Sequence, residues 1–198
     1  MKADFAKPAT PQSTRIGRRL IGSGQVERSK SSFLSTLVLI VGSLVALPLT
    51  SSAAPEDIQG RQAPDFVLKT LEGGNLRLSE FRGEVVLINF WASWCGGCRQ
   101  AMPALNDIYE KYRHVGLVML SVNLDEEAHR AADMSESLKI KFPVLLDDRK
   151  IASQAFKVDN MPLTVLIDRE GTVRFTYVGY NAGDESKILA PLRKLLNE

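Results

Sequence analysis

The stretch VVLINFW, Val85–Trp91, holds one polar side chain in seven residues. A strand with one wet face alternates apolar and polar positions, whereas a run without alternation is covered on both faces. This segment therefore requires a sheet with elements packed on each side of it. Helical periodicity begins just beyond it, at Cys95 and Cys98, and runs to about Arg113. Ala101, Leu105, Ile108 and Tyr112 recur at spacings of four, three and four and so form one stripe. Pro103 falls inside that stretch and is expected to kink it.

The rest of the chain supplies partners for this strand and helix. DFVLKTLEGGNLRLSEF reads as a hairpin around Glu72-Gly73-Gly74-Asn75. LVMLSV (117–122) predicts a second buried strand, and 126–139 a weaker helix carrying Ala128, Ala131, Ala132 and Leu138. PVLLDD follows, then a short helical piece over 151–156. A strand over 164–168, a turn at Arg169-Glu170-Gly171 and a strand over 173–177 come next. A last helix over 184–196 turns Ile188, Leu192, Leu195 and Leu196 inward. The predicted class is α/β, a mixed central sheet with helices on both faces and an N-terminal β-hairpin.

Charge separates the chain into two parts. Residues 1–32 carry seven Lys/Arg against Asp4 and Glu27, while the remainder has 18 basic and 21 acidic side chains. The basic balance belongs to the leader, so nothing points to nucleic acid binding by the folded part. FLSTLVLIVGSLVALPL, residues 33–49, is uncharged and is followed by TSSAAPED. A basic stretch, an apolar stretch and then small residues is the layout of an export signal, with Ser51 and Ala53 both preceding a cut before Ala54. The other reading is an uncleaved anchor, seventeen residues being at the short limit for a spanning helix. Both leave the basic flank in the cytoplasm and the domain outside, periplasmic or otherwise extracytoplasmic. The expected division is 1–53 leader, 54–64 linker and 65–198 folded domain.

An oxidising compartment favours disulfides used as staples. The chain past residue 53 is long enough to bury a core without one, so its single cysteine pair points to chemistry instead. Cys95 would lie where a strand gives way to a helix, where amide N–H groups are unpaired and the dipole end is positive. Both favour thiolate. C-x-x-C cysteines so placed have pKa values of roughly 3.5–7.5, against about 8.5 for a free thiol. Cys98 is a helical neighbour of Cys95, near enough for one sulfur to attack a disulfide and the other to resolve it. The competing readings are two buried thiols or half a zinc site. Zinc needs further ligands, and only His114, His129 or carboxylates remain.

Taken in order, APDFVL, LSEFRGEVVLINFWASWCGGCR with Pro103, MPLTVLID and GTVRFTYVGY resemble the thioredoxin superfamily. Within it they are similar to exported thiol–disulfide oxidoreductases of the TlpA/ResA kind, from about Ala63 to the C-terminus. The resemblance implies a thioredoxin-like fold, no cofactor, and a catalytic Cys95–Cys98 dithiol/disulfide. Cys95 would be the attacking thiolate and Cys98 the resolving thiol. Trp94 would flank the site. Pro162 would be a cis-proline facing the cysteines, leaving the backbone of Met161 to pair with an extended substrate segment. The implied partners are protein thiols and disulfides, such as those of apocytochrome c or copper-site proteins, and a membrane-embedded thiol electron donor.

The chain departs from that family in two ways. Gly96-Gly97 stands where relatives usually carry proline, at a cost of up to ~1 kcal/mol relative to alanine in a first helical turn. The positions where relatives keep a proton-accepting carboxylate are Asn89, Ala101 and Leu163. Cys98 is therefore expected to lose its proton through water or to a partner. Two other functions compete with this one. In a peroxiredoxin-like peroxidase, a proline and a threonine would precede the cysteine where Ile88 and Ala92 stand. In a Cu(I) module, Cys95, Cys98 and the Met161 thioether would be the soft ligands.

Overall fold

The computed structural model describes residues 58–198, so the leader reading for 1–53 and the start of the 54–64 linker lie outside the described residues. Seven strands form one sheet in the order β2-β1-β5-β4-β3-β6-β7. β1 (Val67–Thr70) and β2 (Asn75–Arg77) make the N-terminal hairpin, with Leu68 opposite Leu76. β3 (Val85–Trp91) lies inside the sheet, parallel to β4 (Leu117–Asn123) and antiparallel to β6 (Leu163–Ile167). β5 (Val144–Leu146) joins β4 to the hairpin, and β7 (Val173–Val178) closes the far edge.

The apolar run of β3 has the explanation its sequence demands. Val85, Leu87 and Trp91 enter one buried cluster, and Val86, Ile88 and Phe90 enter another. Each large apolar side chain so buried is worth roughly 1.5–3 kcal/mol against exposure. The first cluster receives Ala101, Met102, Leu105 and Ile108 from α1 (Gly96–Tyr112) and Ile188, Leu192 and Leu195 from α4 (Glu185–Leu196). It also takes Ala131 from α2 (Ala128–Ser137). The second is filled from the other side by Phe66, Leu78 and Phe156 and by Ala152 of α3 (Ile151–Ala155). Phe156 touches Phe90 and Phe66 with ring centroids 5.4 and 6.0 Å apart.

Residues 58–64 are the described part of the 54–64 linker, and they are bound to the sheet. Gly60 N–H donates to Val173, Ala63 N–H to Gly171, and Val173 N–H back to Arg61. The Gln62 side-chain amide adds a bond to the Thr172 hydroxyl at 3.1 Å.

Candidate active site

β3 ends at Trp91, and the chain turns sharply before α1 begins. The Cys95 amide donates to the Ala92 carbonyl at 3.1 Å, and the Leu124 amide to the Trp91 carbonyl at 2.8 Å. Asp125 clamps this turn from the end of β4. Its carboxylate accepts the Ser93 N–H and Ser93 Oγ–H, each at 2.9 Å, and the Asn123 side-chain amide at 2.7 Å. Sequence reasoning missed Asp125, one acid among several in NLDEE. The signal available was its place just beyond a buried parallel strand, at the carboxyl edge where sites of open α/β sheets gather.

Cys95 is the N-cap of α1, with extended backbone (φ −85°, ψ 109°), and its Sγ accepts the Cys98 N–H at 3.1 Å. The same amide and the unpaired N–H groups beside it would hold a thiolate at that position. Cys95 and Cys98 are joined as a disulfide with Cα atoms 5.2 Å apart, inside the ~4.4–6.8 Å such bonds use. Their access differs: Cys95 keeps 8 % exposure and Cys98 none. An incoming sulfur therefore meets Cys95 first.

The other residues predicted for the site converge on this pair. Met161–Pro162 is cis. Pro162 lies against the start of α1, where a Cβ on Gly97 would stand 3.4 Å from Pro162 Cδ and 3.7 Å from the Tyr180 carbonyl oxygen. A Cβ on Gly96 would meet nothing within 4 Å. The two glycines are thus unlike: one faces solvent and the other a wall. Burial, and then acceptance of its hydroxyl by Glu185, push the Tyr180 phenol up to about 12. Trp91 is core, whereas Trp94 is 68 % exposed. Trp94 and Met161 line one groove of about 670 Å³.

Asn89, Ala101 and Leu163 are all buried, and none can carry a proton at working pH. Among the described residues, no group of three or more His, Cys, Asp or Glu side chains is placed to hold a metal ion. What the site can do is exchange disulfides: a reachable sulfur held by amides, a shielded one beside it and an apolar surface around both.

Comparison with known proteins agrees with this chemistry. Residues 59–176 match the profile of the AhpC/TSA family. Thiol-disulfide oxidoreductase ResA of Geobacillus thermodenitrificans is 36 % identical over 128 residues, covering 65 % of this chain and 74 % of that protein. The protein of the same name from Geobacillus kaustophilus is 38 % identical over 120 residues, covering 61 % and 69 %. Among solved structures, a Chlorobium tepidum protein described as a thiol:disulfide interchange protein DsbE superposes with a TM-score of 0.67 at 35 % identity, covering 70 % of this chain and 97 % of that one.

Proposed function

This chain belongs to the AhpC/TSA family and is a thioredoxin-like thiol–disulfide oxidoreductase, and we propose that its Cys95–Cys98 pair serves protein clients outside the cytoplasm, as a reductant. In this reading the Cys95 thiolate attacks a client disulfide, forms the mixed disulfide and releases the client's first thiolate. The Cys98 thiol then gives up its proton and attacks Cys95, which frees the second client thiol and leaves the pair oxidised. Pro162 and Met161 would present backbone to the client strand, and Trp94 a broad apolar flank. A membrane-embedded thiol donor would return the electrons. The observation that carries the assignment of roles is the unequal burial of the two sulfurs, together with the Cys98 amide directed at Cys95.

The place of action rests on the basic-then-apolar pattern of residues 1–49 and the small residues after it. Clients of the apocytochrome c or copper-site kind fit an extracytoplasmic reductant. A peroxidase reading has less support, since Ile88 and Ala92 are fully buried apolar residues that place no hydroxyl beside Cys95.

Trapping tests the proposal. With Cys98→Ser in the full-length chain, expressed in its own host, specific proteins should accumulate disulfide-linked to Cys95. A trap that captures nothing while Cys95 remains a free, reactive thiol would end this reading.

A further inference from the structure

We propose that Asn89, Ser121 and the Trp91 indole hold internal water between the sheet and α1, and that this water takes the proton Cys98 gives up. The second half rests on the exchange reading above and names residues that serve it. All three side chains are buried, at 1 % exposure or less. Both polar atoms of the Asn89 amide, Ser121 Oγ and Trp91 Nε1 have no hydrogen-bond partner among the described residues. A buried polar atom left unpaired loses its hydration without return, so native proteins pair nearly all of them. Sheet register gathers these four atoms. Val85, Leu87 and Trp91 of β3, and Leu117 and Met119 of β4, enter the cluster that α1 covers, so alternation puts Asn89 and Ser121 on that face as well. Asn89 stands opposite Ser121 on β4 and Thr164 on β6, with Trp91 two residues further along β3. Neighbouring strands lie about 4.8 Å apart and alternate residues of one strand about 6.6 Å, so one or two water molecules span the set.

The atoms present select water over an ion. Trp91 Nε1 only donates, Ser121 Oγ donates and accepts, and the Asn89 amide offers both an acceptor and donors whichever way it is turned. An anion would leave the amide oxygen unpaired, and a cation would leave the indole and amide N–H groups unpaired. Water serves both kinds, usually with about three bonds. Cys98 belongs to the same cluster as Leu87 and Trp91 and is fully buried, so its proton needs a carrier. Asp125 is engaged by Ser93 and Asn123, and Glu185 by the Tyr180 hydroxyl. Asn89 and Ser121 carry no such commitment. During resolution the Cys98 S–H bond breaks and its proton passes to the held water and on to bulk solvent. The Cys98 sulfur bonds to that of Cys95, and the electron pair of the old Cys95–client bond leaves on the client sulfur. Nothing in the row changes charge.

An aromatic disulfide, dithiobis(nitrobenzoate), reads the two thiols apart when one equivalent meets the reduced full-length chain. Cys95 attacks it and releases one nitrothiobenzoate; Cys98 then attacks Cys95 and releases the second, a thiolate that leaves without needing a proton. In Asn89→Leu, which fills the row with an apolar side chain of similar size, the first phase should keep its rate. The second should slow roughly tenfold, a modest loss for a proton carrier. Asn89→Ser restores a hydroxyl with space for water and should recover most of that rate. Ser121→Ala, which removes one oxygen only, should slow the second phase less. With isotope-labelled tryptophan, the Trp91 indole N–H should show an NOE from water in the parent and lose it in Asn89→Leu. Absence of that NOE in the parent overturns the proposal. So does an unslowed second phase in Asn89→Leu, or in Ser121→Ala should the leucine variant not fold. A dry row would instead raise the melting temperature of Asn89→Leu, because the unpaired amide is gone. If the parent releases no second nitrothiobenzoate, the exchange reading fails and the proton role with it, while the NOE still decides the water site.

Discussion

The backbone N–H of Cys98 lies 3.1 Å from the sulfur of Cys95, while the side chain of Cys98 is fully buried. One cysteine thus helps to hold the other's charge while remaining out of reach itself. The reduced protein should alkylate at Cys95 well below pH 8.5, the value of a free thiol, with Cys98 labelled only after unfolding. Iodoacetamide labelling followed by mass spectrometry reads this directly. Equal labelling of the two thiols in the folded protein would contradict it.

Gly96 and Gly97 should respond differently to alanine. At Gly96 an added Cβ meets nothing within 4 Å, so Gly96→Ala should stabilise the protein by about 0.4–1 kcal/mol through the unfolded chain and helix propensity. At Gly97 the Cβ touches Pro162 at 3.4 Å, and the gain should be smaller, with slower exchange toward protein disulfides. Urea midpoints and insulin reduction rates for the two variants check the contrast.

Asp125→Ala should destabilise the protein by about 2–4 kcal/mol, since the Ser93 and Asn123 donors it now satisfies would lose their acceptor in a mostly buried turn. Its exchange rate should fall as well, because that turn sets where Cys95 meets α1. Denaturant unfolding and stopped-flow exchange measure the two effects separately.

Ala101 lies one helical turn beyond Cys98 and is buried. Ala101→Glu should add a carboxyl with a raised pKa there, since burial disfavours its charge. The expected result is a lower melting temperature and a new ionisation in the pH–rate profile of exchange that the parent lacks. A carboxylate-like step already present in the parent would show that another acid serves Cys98.

Asp184, at the start of α4, contributes to the acid sensitivity of the fold. Its carboxylate accepts Lys187 Nζ at 2.6 Å and the Asn181 N–H at 2.8 Å, and these bonds, Lys187 first, hold it well below the usual carboxylate range. A depressed folded pKa gives stability that is full above the unfolded value of 3.8 and is lost as pH falls below it. The urea midpoint should therefore decline from about pH 4 downward. Asp184→Asn should lower the midpoint at neutral pH and flatten that acid limb.

Much of this molecule follows from local sequence. A seven-residue apolar run can satisfy its burial only between two layers, and β3 does so with alternating side chains in two clusters. The four-three-four stripe allows one helical face, and α1 buries Ala101, Leu105 and Ile108 along it. Two cysteines at that junction fall on one turn whatever the rest of the chain does. Other features needed the third dimension. Asp125 reaches Ser93 across 32 residues; Gly97 meets Pro162 only because β6 pairs beside β3; and Lys150 and Lys157 share a groove with Trp94 because Asp147 fixes α3 there. Periodicity records how a residue faces its own element, and so it specified the strand, the helix and the reactive pair. Contacts between distant segments leave no period in the chain, so packing alone decided which side chains hold the turn and which ones surround the sulfur.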